Sequence, residues 1–235
     1  MRTHTTSTTK TSATGSRRKI SAFDFHEALI KEKGVRAASG FSARSRQVRF
    51  DVIHRLLVAF DLFSEGGIKL LDYGCNDGEL YKTLKGSVEY VGMDINRKLI
   101  KWARERWRET GAKFMVGNAL EDTTFDKIIR LKPDVIVASG VLSYSGDAHN
   151  YPELLDRLFT AAKRGVIFNV LSIDVPKNLI VPTQGMIRWQ PAKLLRLIQA
   201  CGCNSWELIR SYLHNDITVV MRKNWTHYES GDSPT

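Results

Sequence analysis

The segment Leu70-Leu71-Asp72-Tyr73-Gly74-Cys75-Asn76-Asp77-Gly78, followed by Tyr90-Val91-Gly92-Met93-Asp94, constrains the fold of this chain more than any other feature. An apolar run ends in a glycine turn, a helical stretch follows, and a second apolar run ends in an acid. This is the pattern of a strand–turn–helix–strand unit that binds a nucleoside. The turn lets backbone N–H groups approach a ligand. The acid, roughly 20 residues on, can accept hydrogen bonds from two ribose hydroxyls.

Departures from related patterns narrow the ligand. A dinucleotide fingerprint needs G-x-G-x-x-G, but counted from Gly74 the second place is Asn76 and the third is Glu79. A side chain at the second place blocks close approach to a pyrophosphate, and a glutamate at the third adds negative charge. No Gly-Lys-Ser or Gly-Lys-Thr follows the turn, which excludes a P-loop. A nucleoside without phosphates remains. S-adenosylmethionine fits, with its ribose, adenine, sulfonium and amino-acid tail. Asn visits left-handed backbone geometry more easily than most residues, so Asn76 is compatible with the turn.

The 235 residues suit one domain with extensions. No apolar run reaches the roughly 18 residues of a membrane span, and the residues near Met1 lack the apolar core of a leader. The three cysteines, Cys75, Cys201 and Cys203, form no framework, which favours a reducing compartment and a cytoplasmic location. Cys201-Gly202-Cys203 has no second Cys/His pair at zinc spacing, so no metal is expected. The formal net charge of +10 gathers at the amino end, where Arg2, Lys10, Arg17, Arg18 and Lys19 occur without an acid. That end is read either as a contact to nucleic acid or an anionic surface, or as a solvated tail.

Periodicity gives the organisation. Residues 1–20 read as a disordered basic Ser/Thr-rich tail, 21–65 as an amino-terminal helical cover, 66–223 as the nucleoside-binding domain and 224–235 as a flexible tail. The cover holds helices over Ala22 to Lys33 and Ser45 to Phe63. Strands follow at Ile68–Tyr73, Glu89–Met93, Phe114–Val116, Asp134–Ala138 and Val166–Leu171. Helices alternate with them at Asp77 to Leu84, Asn96 to Glu109, Tyr151 to Lys163 and Ala192 to Ala200. Ser205–Tyr212 and Ile217–Met221 read as an antiparallel pair. The expected fold is α/β: a Rossmann-like, doubly wound, mostly parallel sheet with a final antiparallel strand and amino-terminal cover helices.

The Gly74 turn resembles the glycine-rich first motif of class I S-adenosylmethionine-dependent methyltransferases, with Asn76 in place of the middle glycine. Asp94 matches the acid that binds the ribose. Gly117-Asn118-Ala119 matches the loop after the third strand, where the family usually has Gly-Asp and meets the adenine. The chain is also similar to a bacterial and phage subgroup through Phe25-His26, Ser45-Arg46-Gln47-Val48-Arg49-Phe50, Val137 to Val141, Phe168 to Ser172 and Asp216-Ile217-Thr218. Arg46 stands where the subgroup has Gln. The resemblance implies S-adenosyl-L-methionine as cofactor, with Asp72, Gly74, Asn76, Gly78, Asp94, Ile95, Asn118, Ala119 and Ser139 in its site. Arg49 is read either as a partner of the methionine carboxylate or as an exposed helix charge.

Methyl transfer from a sulfonium asks the protein mainly for alignment and exclusion of water. A hydroxyl or amide acceptor also needs a base. Ser139-Gly140-Val141-Leu142-Ser143-Tyr144 follows the fourth strand, where amino-directed nucleobase enzymes carry Asp/Asn-Pro-Pro-aromatic and cytosine-C5 enzymes a Pro-Cys. Neither is present. Candidate catalytic groups are Tyr144, His149 and Asn169, while His214 and Asp216 read as turn formers. Three functions remain open: methyl transfer to a small molecule, methylation of RNA or another nucleic acid, and a non-catalytic cofactor-binding subunit or assembly factor. The acceptor and the oligomeric state are not legible.

Overall fold

The computed structural model describes residues 19–35, 41–60, 62, 67–175 and 185–223. Nearly all of the expected tail at 1–20, and all of that at 224–235, lies outside them. Its last residue but one on the helical side, Lys19, and Ile20 are described, and Ile20 is anchored: its carbonyl accepts from Gly146 N–H at 2.8 Å and its N–H donates to Ser145 Oγ at 3.3 Å.

Two helices precede the sheet, α1 at Ala22–Lys33 and α2 at Ala43–Ala59. Each begins on a serine. Ser21 Oγ accepts from Asp24 N–H and Ser42 Oγ from Ser45 N–H, which satisfies a donor that the first turn would leave open. The sheet strands are β1 Ile68–Tyr73, β2 Val88–Asp94, β3 Lys113–Val116, β4 Val135–Ser139, β5 Gly165–Leu171, β6 Ser205–Ile209 and β7 Asp216–Arg222. Between them lie α3 Leu80–Leu84, α4 Arg97–Arg106, α5 Asp122–Leu131, α6 Tyr151–Ala161 and α7 Pro191–Ala200.

The strand order is β3-β2-β1-β4-β5-β7-β6, with β1 to β5 parallel and β7 antiparallel to both β5 and β6. The order reverses between β1 and β4, so the loops leaving these two strands diverge and open a crevice at their carboxyl ends. Side chains alternate across the sheet with period two. Leu70, Val135, Val137 and Ile167 face the layer of α2, α3 and α4. Leu71, Ile136, Ala138, Val166 and Phe168 face the layer of α6 and α7.

The doubly wound fold with cover helices is the expected one. Helix α5 is the element that sequence reading missed. Phe125, Ile128 and Leu131 recur at helical spacing within it, and Lys132 ends it in left-handed geometry just before Pro133.

Candidate active site

A cleft of about 220 Å³ opens at the carboxyl ends of β1, β2 and β4. Its floor is the turn after β1. Gly74 and Asn76 both take positive φ, 75° and 52°, so the chain reverses sharply; the Gly74 and Cys75 N–H groups donate to the Met93 carbonyl and the Asn76 N–H to Asp94, which ties the turn to the end of β2. A Cβ on Gly74 would lie 2.5 Å from Val141 Cγ2. Asn76 therefore preserves the turn in which it replaces a glycine. Gly78 serves otherwise. It lies outside the cleft lining, and a Cβ there would strike the Phe114 ring at 2.5 Å, so this glycine accommodates core packing.

Asp94 ends β2 beside the turn. Its Oδ2 accepts from Asn76 N–H at 2.9 Å and its Oδ1 from Asn96 N–H at 2.8 Å. Each carboxylate oxygen keeps a lone pair for a further donor. Burial pushes its pKa up, against the pull of these two N–H groups and of His26. Asp72, buried under the turn, accepts from the Tyr90 hydroxyl. Burial, opposed by that bond and reinforced by Asp94 and Asp77, raises its pKa to about 7. The same three acids, with burial first, push the Cys75 thiol well above its ordinary value. Cys75 is therefore a packed thiol and no nucleophile. The other acids of the turn have partners, Asp77 in Arg106 and Glu79 in Arg46, so the turn's charge is balanced within the protein.

Ile95, Asn118 and Ser139 line the cleft as expected. Asn118 Oδ1 accepts from Leu120 N–H at 3.1 Å and from the Tyr73 hydroxyl at 3.3 Å. Both lone pairs of that oxygen are thus engaged within the protein. Ala119 is fully buried behind the lining, and its N–H donates to the Tyr73 oxygen at 3.2 Å. The Tyr73 hydroxyl thus stands between the two loop groups, donating to Asn118 and accepting from Ala119.

The cover supplies the far wall. Arg49 is buried, so it is no exposed helix charge, and its guanidinium pairs with both oxygens of Asp216, Nη2 to Oδ1 at 3.0 Å. The Phe41 ring stacks on the guanidinium, 3.8 Å from ring centroid to Cζ. Arg49 lines the cleft, and its buried Nη1 has no hydrogen-bond partner among the described residues. Asp216 is therefore a buried counter-ion and not a turn former. Arg46, three residues earlier, also lines the cleft and pairs with Glu79 at 2.8 Å.

Helix α1 roofs the cleft from bank to bank. On one bank Glu27 Oε1 accepts from Asn96 Nδ2 at 2.9 Å, and Oε2 meets Lys98 Nζ at 2.6 Å. On the other, Ala22 N–H donates to Asp147 Oδ2 at 2.7 Å, and His26 Nε2 lies 3.1 Å from the Tyr144 hydroxyl. Phe25 packs on the same Tyr144 ring.

Of the three catalytic candidates, Tyr144 lies in the cleft. Burial raises its pKa, so the phenol keeps its proton and is not a base. Asn169 sits behind the lining, where its Oδ1 accepts from Gly140 N–H at 2.8 Å and its Nδ2 donates to Ser139 Oγ at 3.1 Å; it holds the end of β4. His149 is exposed on the 3₁₀ turn Ala148–Asn150 and does not reach the cleft, because that turn directs it outward. Sequence reading gave no site role to Phe41, Asp147 or Glu27, and it met His26 only as part of a resemblance. Phe41 stands just before α2, His26 and Glu27 lie within α1 and Asp147 precedes a 3₁₀ turn, and no shared spacing links them.

Residues 41–208 match the family described as "Methyltransferase domain". The magnesium protoporphyrin IX methyltransferase ChlM from Synechocystis PCC 6803, solved with bound SAH, shares 15% identity at a TM-score of 0.58, over 84% of this chain and 95% of that one. A SAM-dependent methyltransferase from Archaeoglobus fulgidus shares 16% at 0.55, over 74% and 94%. The PH0226 protein from Pyrococcus horikoshii OT3 shares 20% at 0.52, over 77% and 92%. No curated protein matches the chain. The site fits the cofactor of this fold: Asp94 keeps free lone pairs at the end of β2 for hydroxyl donors, and Arg49 is a cation in the cleft wall for a carboxylate. The chain belongs to the methyltransferase-domain family, as a class I S-adenosylmethionine-dependent methyltransferase.

Proposed function

We propose that this enzyme methylates a small molecule that enters the cleft beside α1, and that Asp94, the Gly74–Asn76 turn and Arg49 hold the cofactor. The observation that carries the reading is the roof. Helix α1 is tied to both banks, through Glu27 and through Ala22 and His26, which leaves an enclosed space suited to a compact acceptor.

Bound S-adenosylmethionine supplies an electrophilic methyl group on a sulfonium. The chain's own groups then orient and neutralise. Asp94 accepts from the ribose hydroxyls while its N–H partners hold it still. Arg49 Nη1 donates to the carboxylate of the amino-acid tail. Phe23, Phe41 and Tyr144 exclude water. For a hydroxyl acceptor, His26 takes the proton and Tyr144, which stays protonated, donates a hydrogen bond.

The alternative acceptor is RNA, drawn to the basic amino end. The deciding measurement is transfer of tritium from methyl-labelled cofactor into a metabolite extract and, separately, into an RNA pool. Label in the metabolite fraction is expected. Label confined to RNA would overturn the small-molecule reading.

A further inference from the structure

Helix α1 covers the cleft, yet none of its residues is buried. Among the described residues, the polar contacts that hold it lie at its two banks. The contact on the β2 bank has an unusual connection. Asn96 is 1% exposed. Its Oδ1 caps α4, accepting from Lys98 N–H at 2.9 Å and Leu99 N–H at 3.3 Å. Its Nδ2 donates to Glu27, and its backbone N–H donates to Asp94 Oδ1. One buried residue therefore touches the cover helix with its side chain and the cleft acid with its backbone.

We infer that Glu27 is a positioning residue for the nucleoside end of the site, acting through Asn96 on Asp94, so that docking of α1 and binding of the cofactor's ribose strengthen each other. Without Glu27, the buried Nδ2 of Asn96 loses its acceptor, and an amide in that state reorients to recover one. That movement disturbs the N–H that fixes Asp94. Lys98 neutralises the Glu27 carboxylate, which keeps it an acceptor at this edge. Coupling of two binding events through one group is reciprocal, so a bound nucleoside also holds α1 down. The inference rests on Asp94 holding the ribose.

The test uses the full chain and two probes: S-adenosylhomocysteine, and 5′-methylthioadenosine, which has the same nucleoside without the amino-acid tail. Affinities are measured by calorimetry for Glu27→Ala, Glu27→Gln, Asp94→Asn and the double variant Glu27→Ala/Asp94→Asn. Glu27→Ala should weaken both probes by a similar factor, about 5- to 20-fold. Glu27→Gln should retain most of the affinity, because its amide oxygen still accepts from Asn96. The double variant should bind within about twofold of Asp94→Asn alone, the non-additivity expected of groups acting in series. Trypsin cleavage after Lys31 should slow with S-adenosylhomocysteine in the parent and not in Glu27→Ala. Unchanged affinity in Glu27→Ala, additive losses in the double variant, or a loss confined to the probe with the tail would overturn the positioning role. If Asp94→Asn alone changes neither affinity, the ribose assignment falls, and the positioning role falls with it.

Discussion

Arg49 and Asp216, 167 positions apart in the chain, form a buried two-point ion pair that joins the start of α2 to the start of β7. The pair closes the cover onto the sheet beside the cleft. Arg49 lines the cleft, and its third guanidinium nitrogen, Nη1, is buried with no hydrogen-bond partner among the described residues. The same side chain therefore ties the cover to the sheet and, in the site proposed above, donates to the cofactor's carboxylate.

Asp216→Asn should lower stability by about 3–5 kcal/mol, the cost of leaving a buried charge without its partner. Arg49→Met/Asp216→Leu should recover much of that loss in thermal melts, since an apolar pair carries no desolvation penalty. The binding function separates from the structural one in calorimetry. The double replacement should weaken S-adenosylhomocysteine by about tenfold or more and leave 5′-methylthioadenosine nearly unchanged, as expected for loss of one charge-assisted bond. Equal losses for both would remove the carboxylate assignment.

Asp72 predicts a specific pH dependence. Its folded pKa is about 7 against an ordinary value of 3.8. Between those values the folded protein holds a proton that the unfolded chain releases, so this group's contribution is full below about 3.8 and is lost as pH rises through about 7. Asp72→Asn can still accept from Tyr90 and does not titrate. Its stability relative to the parent should therefore rise from pH 5 to pH 8, by at most about 2–3 kcal/mol. Denaturant melts without ligand at the two pH values measure it, and a gap that does not grow with pH would contradict the assignment.

Gly74→Ala meets two obstacles together, a φ of 75° and a 2.5 Å approach to Val141. It should cost about 1–3 kcal/mol and abolish cofactor binding detectable by calorimetry. Asn76→Gly should change stability by only a few tenths of a kcal/mol, whereas Asn76→Val, β-branched at a φ of 52°, should cost more than about 1 kcal/mol. Equal melting temperatures for these two Asn76 variants would show that the turn does not need left-handed geometry there.

His26→Gln tests the proton acceptor once labelling has identified a hydroxyl acceptor. Loss of a general base should lower kcat by about 100-fold or more. Affinity for S-adenosylhomocysteine should fall far less, because the hydrogen bonds that hold Asp94 come from the Asn76 and Asn96 N–H groups. Tyr144→Phe should be milder, since it removes a donor and leaves the imidazole. A His26→Gln enzyme with parental kcat would assign proton removal to another group or to water.

The alternating strands and helices were legible because each buries one face, and burial of one face writes a period of two or near 3.6 into the chain. Ala22–Lys33 and Ile68–Tyr73 have the bounds that periodicity and capping imply. The Gly74 turn and Asp94 were legible for a similar reason: left-handed φ and a strand-end acid are local demands on particular residue types. Partnership across the chain is not local. Nothing near Arg49 signals that its counter-ion is Asp216, which reads by itself as part of a turn. His149 and Tyr144 both lie in the stretch after β4, and only the course of the chain turns one outward and the other into the cleft. Asn118 and Ala119 stand at the expected loop, but the Tyr73 hydroxyl reaches from β1 to occupy their polar groups. Glu27 reads as an ordinary helix-surface charge until folding brings α1 against Asn96. Residue type and spacing determined the fold, the cofactor and the floor of the site. The tertiary structure decided which side chains meet above that floor, because packing sets their distances and periodicity records only which face is buried.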